Sequence, residues 1–372
     1  MCSVCHEPIQ NLRKDSDYIS IRQGMGPFIA VSFICPKRAH CSGIGISLQS
    51  VQKYTAVKIK TPTYGNRTNS LILDQARGIR YLREVTLNYN TMKRYWFTFL
   101  LLLVGGLLQA KEPIVINLWP DGAPNDNGMR AQAEGGALYV AEPTLTIFPA
   151  EHGNGLAIVA CPGGGYWGLA MEHEGTAMAD WMNRMGITYA VLRYRMPNGN
   201  NEVPLSDAQQ ALRIMRQHAT EWNIQKLGIM GSSAGGHLAS TAATHFTDAV
   251  TRPDFQILFY PVITMDPTFT HMGSHDNLLG KSPDKTLETK YSNEKQVKSD
   301  TPPAFILHCT DDDVVPVENS VAYYSALVKH GVSASLHIYP TGGHGWGYND
   351  SYTFKRQWTG ELEKWLGLLI EK

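Results

Sequence analysis

The chain contains no internal repeat and no low-complexity tract, which excludes solenoids, propellers and collagen-like arrays. Cysteine is scarce: of six, Cys2, Cys5, Cys35 and Cys41 precede residue 92, and only Cys161 and Cys309 follow it. A disulfide framework is therefore excluded for residues 111–372, which are numerous enough to bury a full core without one. The apolar run at 95–108 falls short of the roughly 20 residues that a membrane helix needs. Net charge is also absent, with 33 Lys and Arg against 33 Asp and Glu, but the balance conceals a split. Residues 1–91 carry 12 basic and 5 acidic side chains, net +7, and residues 111–372 carry 19 and 28, net −9. An acidic larger part is unsuited to nucleic acid, and no such partner is expected.

Between those two parts lies MKRYWFTFLLLLVGGLLQA, residues 92–110. Lys93 and Arg94, the apolar stretch and the small-residue end Leu108-Gln109-Ala110 make the pattern of a secretory signal peptide. An uncleaved N-terminal anchor is the alternative. The pattern predicts a mature protein that starts near Lys111 and lies in the periplasm or outside the cell. No cysteine near Ala110 supports a lipid anchor, and no stable membrane anchor is expected. Signal peptides open chains, so residues 1–91 are read as a mis-assigned extension, disordered and without sustained helical or strand period. Cys2-x-x-Cys5-His6 with His40-Cys41 invites a zinc reading, but the second half lacks the usual spacing and no metal is expected.

In residues 111–372, apolar β-rich runs alternate with helical patterns. Strands are predicted at 113–118, 144–148, 156–161, 188–194, 226–230, 255–260, 304–309 and 335–339. Helices are predicted at 175–185, 205–222, 234–245, 317–330 and 354–370. In 205–222, Ala208, Leu212, Ile214 and Met215 form the apolar stripe, and Asp207, Arg213 and Arg216 lie elsewhere. The alternation predicts one α/β domain with a mostly parallel central sheet and helices on both faces. Residues 264–303 break the rhythm with a long polar insertion, carrying His271, His275 and one short helix at 283–290. Insertions of this length are often lids, so this one is expected to border a substrate pocket.

The stretch IMGSSAGGHLAS (229–240) places Ser233 in Gly231-x-Ser233-x-Gly235, after a strand and before a helix. A turn that sharp leaves room for little beside the serine, and the helix N-terminus aims backbone N–H groups at developing negative charge. Ser232 is excluded by spacing. A serine nucleophile needs a base and the base an orienting acid, in the chain order Ser, acid, His. His330 ends a helix and His337 sits inside a strand, which leaves His344 in the loop GGHGWG (342–347). Three carboxylates follow the seventh strand, and three like charges cannot all be buried together. The spacing Asp-x-x-Val-Pro favours Asp312, with Asp311 the fallback; Asp311→Asn and Asp313→Asn are expected to remain active. Pro162-Gly163-Gly164-Gly165-Tyr166-Trp167 follows the third strand and is read, with the Ala234 N–H, as an oxyanion hole. Tyr166, Trp167 and Trp346 could stack on sugar rings, although core packing explains them as well.

Through PGGGYWG, YRMPNGNNEVPLSDAQQALRIMRQHA, GSSAGGHLAS, DDDVVPVENS and GGHGWG the chain resembles the α/β-hydrolase superfamily over nearly all of 113–370. More closely it is similar to secreted bacterial carbohydrate esterases often described as acetyl xylan esterases. The resemblance implies removal of acetyl or other acyl groups from plant polysaccharides. It implies Ser233, Asp312 and His344 as the triad, and the N–H groups of Ala234 and of the Gly164-Gly165 turn as oxyanion donors, with no metal or organic cofactor. Pro162 stands where many hormone-sensitive-lipase-like relatives have His, and Cys309 stands where Gly is common. Two other readings share these features: a serine peptidase related to prolyl oligopeptidases, and a non-catalytic carbohydrate-binding protein of the same fold.

Overall fold

The computed structural model describes residues 112–130 and 137–371. Expectations about the extension, the signal segment and the Cys/His pattern before residue 92 lie outside them. Eight strands form one sheet in the order β1-β2-β4-β3-β5-β6-β7-β8. They are β1 (Ile114–Asn117), β2 (Thr144–Phe148), β3 (Leu156–Cys161), β4 (Thr188–Arg193), β5 (Lys226–Ser232), β6 (Phe255–Phe259), β7 (Ala304–Cys309) and β8 (Ala334–Tyr339). β2 is antiparallel to both β1 and β4, and every pairing from β4 to β8 is parallel.

The strand LAIVAC shows why the centre of the sheet reads as an unbroken apolar run. Ala157, Val159 and Cys161 join one core and Leu156, Ile158 and Ala160 the other, because successive side chains alternate between faces that are both covered. On the first face lie α2 (Glu202–Gln217), α3 (Ala234–Thr244) and α6 (Glu318–Lys329). On the second lie α1 (Ala179–Arg184), entered through a 3₁₀ turn at Thr176–Met178, and α7 (Lys355–Ile370). All eleven residues of α3 are buried, and none is larger than Leu or His, so this helix packs close to the sheet directly behind Ser233.

Three expectations need correction. First, α2 starts at Glu202, because Pro204 in its first turn lacks an N–H that would in any case be unpaired there. Second, Asp207 is fully buried, where its carboxylate binds the Arg195 guanidinium at 2.6 Å and the Trp119 indole N–H at 2.7 Å. Third, residues 264–303 hold two helices rather than the single one expected at 283–290, α4 (Met272–Leu279) and α5 (Lys285–Tyr291), followed by a 3₁₀ turn at Asn293–Lys295. The buried Asn293 amide donates to the Ser240 and Thr241 hydroxyls, at 2.8 and 2.9 Å, fastening this segment to α3. No helix among the described residues is long and apolar enough to cross a membrane.

Candidate active site

The turn between β5 and α3 holds Ser233 at φ 54° and ψ −123°, a conformation that L residues rarely adopt. Its neighbours over-determine it. The Ser233 N–H donates to the Phe259 carbonyl and its carbonyl accepts from Val262, both at 3.0 Å. A Cβ at Gly231 would run into the Gly235 carbonyl, and one at Gly235 into the Cys161 carbonyl, so both positions require glycine.

Ser233, Asp312 and His344 follow β5, β7 and β8, and the parallel pairing brings all three strand ends to one edge of the sheet. His344 Nε2 stands 2.8 Å from Ser233 Oγ, and His344 Nδ1 stands 2.7 Å from Asp312 Oδ2. Asp312 Oδ1 accepts the N–H groups of Val314 and Val315, at 3.0 and 2.9 Å. Burial would push the Asp312 carboxyl up, but the donors of His308, His344 and Val315 outweigh it and hold it well below the usual carboxylate range. The carboxylate is therefore ionised and accepts the Nδ1 proton, which leaves Nε2 of a neutral His344 free to accept the serine proton. Ser232 is buried and makes no hydrogen bond to His344.

The remaining carboxylates separate as the charge argument requires: Asp311 and Asp313 are exposed. Asp311 nevertheless makes contacts of its own. Its two oxygens accept the N–H groups of Gly342 and Gly343, at 3.1 and 2.8 Å, and so hold the loop that carries His344.

After β3 the chain doubles back. The Gly164 carbonyl accepts from Trp167 and Gly168, at 3.0 and 2.9 Å, with Gly164 at φ 134° and Gly165 at φ 64°. A Cβ at Gly164 would strike the Gly168 carbonyl. Among the described residues the N–H groups of Gly164, Gly165 and Ala234 have no acceptor, which leaves them available to a substrate oxygen.

The five residues expected to contact substrate divide. Trp167 is 48% exposed, and the half-buried His271 ring lies over the Gly165 turn. Tyr166 is instead buried, and its hydroxyl bonds His237 Nδ1 at 2.9 Å. Trp346 is buried too, stacked on Tyr352 with centroids 4.3 Å apart. His275 faces Asp276 and Glu288 within its own segment, at 2.8 and 3.5 Å. Tyr166 and Trp346 are aromatic rings beside loop glycines whose cover a linear reading does not show, and His275 lies on α4, occupied by carboxylates of its own segment.

Two further residues escaped the sequence. Asn277 on α4 donates its amide to the Gly165 carbonyl at 2.8 Å, tying the 264–303 segment to the turn after β3. His308 on β7 is buried with Nε2 2.9 Å from the Val315 carbonyl and 3.2 Å from Asp312 Oδ2. A carbonyl only accepts, so the His308 proton is on Nε2, beside the oxygen that also receives His344.

His237 links α3 to the loop after β3 through Tyr166. Nε2 donates to the Tyr291 carbonyl at 2.8 Å, and Nδ1 accepts from Tyr166, so the neutral ring is fully satisfied. Burial pushes its pKa down from 6.5 to about 4. The unfolded chain takes up this proton first as pH falls, so stability is present above pH 6.5 and is lost between 6.5 and about 4. The loss is of the order of 3 kcal/mol at most, from about 1.4 kcal/mol per pH unit. Melting curves are expected to fall over that window in the wild type, and less steeply in His237→Gln; equal slopes would remove His237 as the cause.

The site can be set beside known proteins. The model of the prolyl oligopeptidase family matches residues 177–370. An acetylxylan esterase of Xylanibacter ruminicola is 45% identical over 228 residues, 60% of this chain and 47% of that protein. Endo-1,4-beta-xylanase B of Butyrivibrio fibrisolvens is 39% identical over 204 residues, 50% of this chain and 32% of that protein. The chain thus spans half or less of the length of these two relatives. A crystal structure of an acetyl ester-xyloside bifunctional hydrolase from Caldicellulosiruptor lactoaceticus is 37% identical, with a TM-score of 0.60, covering 69% of this chain and 96% of that one. With a mostly parallel sheet, a serine on the turn after β5 and a family model that covers both the serine and the histidine loop, the chain has the α/β-hydrolase fold and belongs to the prolyl oligopeptidase family.

Proposed function

We propose that the domain is a serine esterase that removes acetyl or other acyl groups from plant polysaccharides or oligosaccharides. The observation that carries this is the unbroken hydrogen-bonded chain from Asp312 through His344 to Ser233, beside three backbone N–H groups that have no acceptor among the described residues. As Ser233 Oγ attacks an ester carbonyl, His344 Nε2 takes its proton and Asp312 stabilises the imidazolium. The N–H groups of Gly164, Gly165 and Ala234 receive the negative oxygen. His344 then returns the proton to the departing sugar oxygen, leaving an acyl-Ser233 ester. A water activated by the same imidazole cleaves that ester and restores the serine. Every step uses groups of this chain. The relatives' names supply the substrate class: acetylxylan and acetyl ester-xyloside.

A peptidase is the second reading, favoured by the family that the chain matches. Assays on acetylated xylan, p-nitrophenyl acetate, a feruloyl ester and a Pro-containing peptide separate the two. Release of acetate from xylan with no peptide cleavage is expected, and peptide cleavage without esterase activity would reverse the assignment.

Export belongs to the same proposal and rests on the pattern at 92–110. Sequencing the native protein from its N-terminus should begin near Lys111; residues 1–91 still attached would overturn it.

A further inference from the structure

A second carboxylate lies under the site, and the acyl-transfer chemistry does not use it. Glu174 is buried at 4% exposure, with each oxygen engaged. Oε2 accepts the Gly163 N–H at 2.7 Å, at the start of the oxyanion turn. Oε1 accepts the Tyr260 hydroxyl at 2.8 Å. That hydroxyl in turn accepts the Gly347 N–H at 2.9 Å, at the end of the GGHGWG loop that carries His344. One hydrogen-bonded line thus runs from the loop after β3, through Glu174 and Tyr260, to the loop after β8. The Tyr260 ring packs edge-on against His344, with centroids 4.8 Å apart.

The surroundings leave this line little freedom. Tyr260 is fully buried at φ 34°, a conformation uncommon for a bulky residue, and its N–H donates to the Leu307 carbonyl at 2.6 Å. Gly163 has no room for a side chain: a Cβ there would lie 2.6 Å from Glu174 Oε2 and 2.9 Å from Ser233 Cβ. The carboxylate therefore sits within the layer of atoms that also holds the nucleophile. Burying a carboxylate costs several kcal/mol unless its oxygens are bonded, so such a group persists where it holds something in place. What it holds here are the oxyanion donors on one side and the general base on the other. Both must be set before the transition state forms, because preorganised donors act only when no reorganisation is needed at that moment.

We propose that Glu174 and Tyr260 are positioning residues that fix the oxyanion turn and the His344 loop relative to each other, and so act on the transition state rather than on substrate binding. This rests on the reading of Ser233, His344 and Asp312 as the reacting set, and the test keeps the two apart.

Tyr260→Phe removes the hydroxyl from the line and keeps the ring against His344. Its kcat is expected to fall about 10- to 100-fold with KM changed less than about threefold, since one directly bonded oxyanion donor is worth about 10² to 10³ and this contact is indirect. Affinity for an arylboronic acid, which forms a tetrahedral adduct on a serine, should fall in parallel with kcat. Glu174→Gln, which keeps one acceptor, should lose less than Glu174→Ala. If the Glu174 variants do not fold, Tyr260→Phe alone decides. A role confined to stability predicts instead a lower melting temperature with kcat and boronate affinity unchanged in the folded fraction, and that result would overturn the proposal. Ser233→Ala, measured alongside, tests the underlying reading: if it retains activity, the reacting set is wrong whatever Tyr260→Phe does.

Discussion

Replacing Ser233 with Ala is expected to lower kcat by about 10⁴-fold or more, leaving only what binding and the oxyanion donors supply. The physical reason is the loss of the covalent route. Without Oγ, a water would have to attack in a turn so tight that even a Cβ at Gly231 or Gly235 would strike a backbone carbonyl. His344→Ala should cost a similar factor, because Oγ, 2.8 Å from Nε2, is a poor nucleophile unless its proton is taken as it attacks. The double variant should be little worse than either single one, since the two groups act as a unit. Steady-state kinetics on p-nitrophenyl acetate measure all three. Losses that multiplied in the double variant would mean that serine and histidine act in separate steps.

The second large effect is that of Asp312→Asn, with an expected loss of about 10³- to 10⁴-fold in kcat. Local geometry makes the outcome specific. The Val314 and Val315 N–H groups both point at Oδ1 and will hold the amide oxygen there. The amide NH₂ must then face His344 Nδ1 and the His308 N–H, two positions that now meet an acceptor. His344 can accept from that NH₂ only in the tautomer that carries its proton on Nε2, which takes away the lone pair that Ser233 needs. Asp311→Asn keeps one of its two acceptors for Gly342 and Gly343 and should lose about tenfold or less. Asp313→Asn should change nothing. Equal losses at 311 and 312 would show that the spacing argument chose between them wrongly.

The parts of the fold legible in the sequence are those where one physical signal dominates. LAIVAC and AFILHC, every residue of which is buried, read as strands because apolar residues run through them, with His308 the single polar one. The turn at Ser233 was legible because its glycines answer to backbone collisions that no other residue avoids. The helix Met272–Leu279 was not legible. Its only apolar residues besides Met272 are Leu278 and Leu279, and its N-terminus is capped by the His271 ring, which accepts the Ser274 N–H, rather than by Ser, Thr, Asp or Asn. Tyr166 and Trp346 sit beside loop glycines like exposed binding aromatics, and only the third dimension supplies His237 and Tyr352 as their partners. Glu174 has the same character. It lies among Glu172, His173 and Gly175, with nothing local to mark it as buried. Its partners are 11 and 86 positions away. Order along the chain singles out the three side chains that the structure brings into one hydrogen-bonded line, whereas the groups around them are defined by contacts between segments.

The central claim is that Ser233 becomes acylated, and trapping the adduct tests it most directly. The protein is treated with an activated phosphonate ester, digested, and mapped by mass spectrometry. The account predicts one adduct, on Ser233 Oγ, formed far more slowly in His344→Ala and absent in Ser233→Ala. An adduct on Ser232, or labelling that persists in Ser233→Ala, would contradict it.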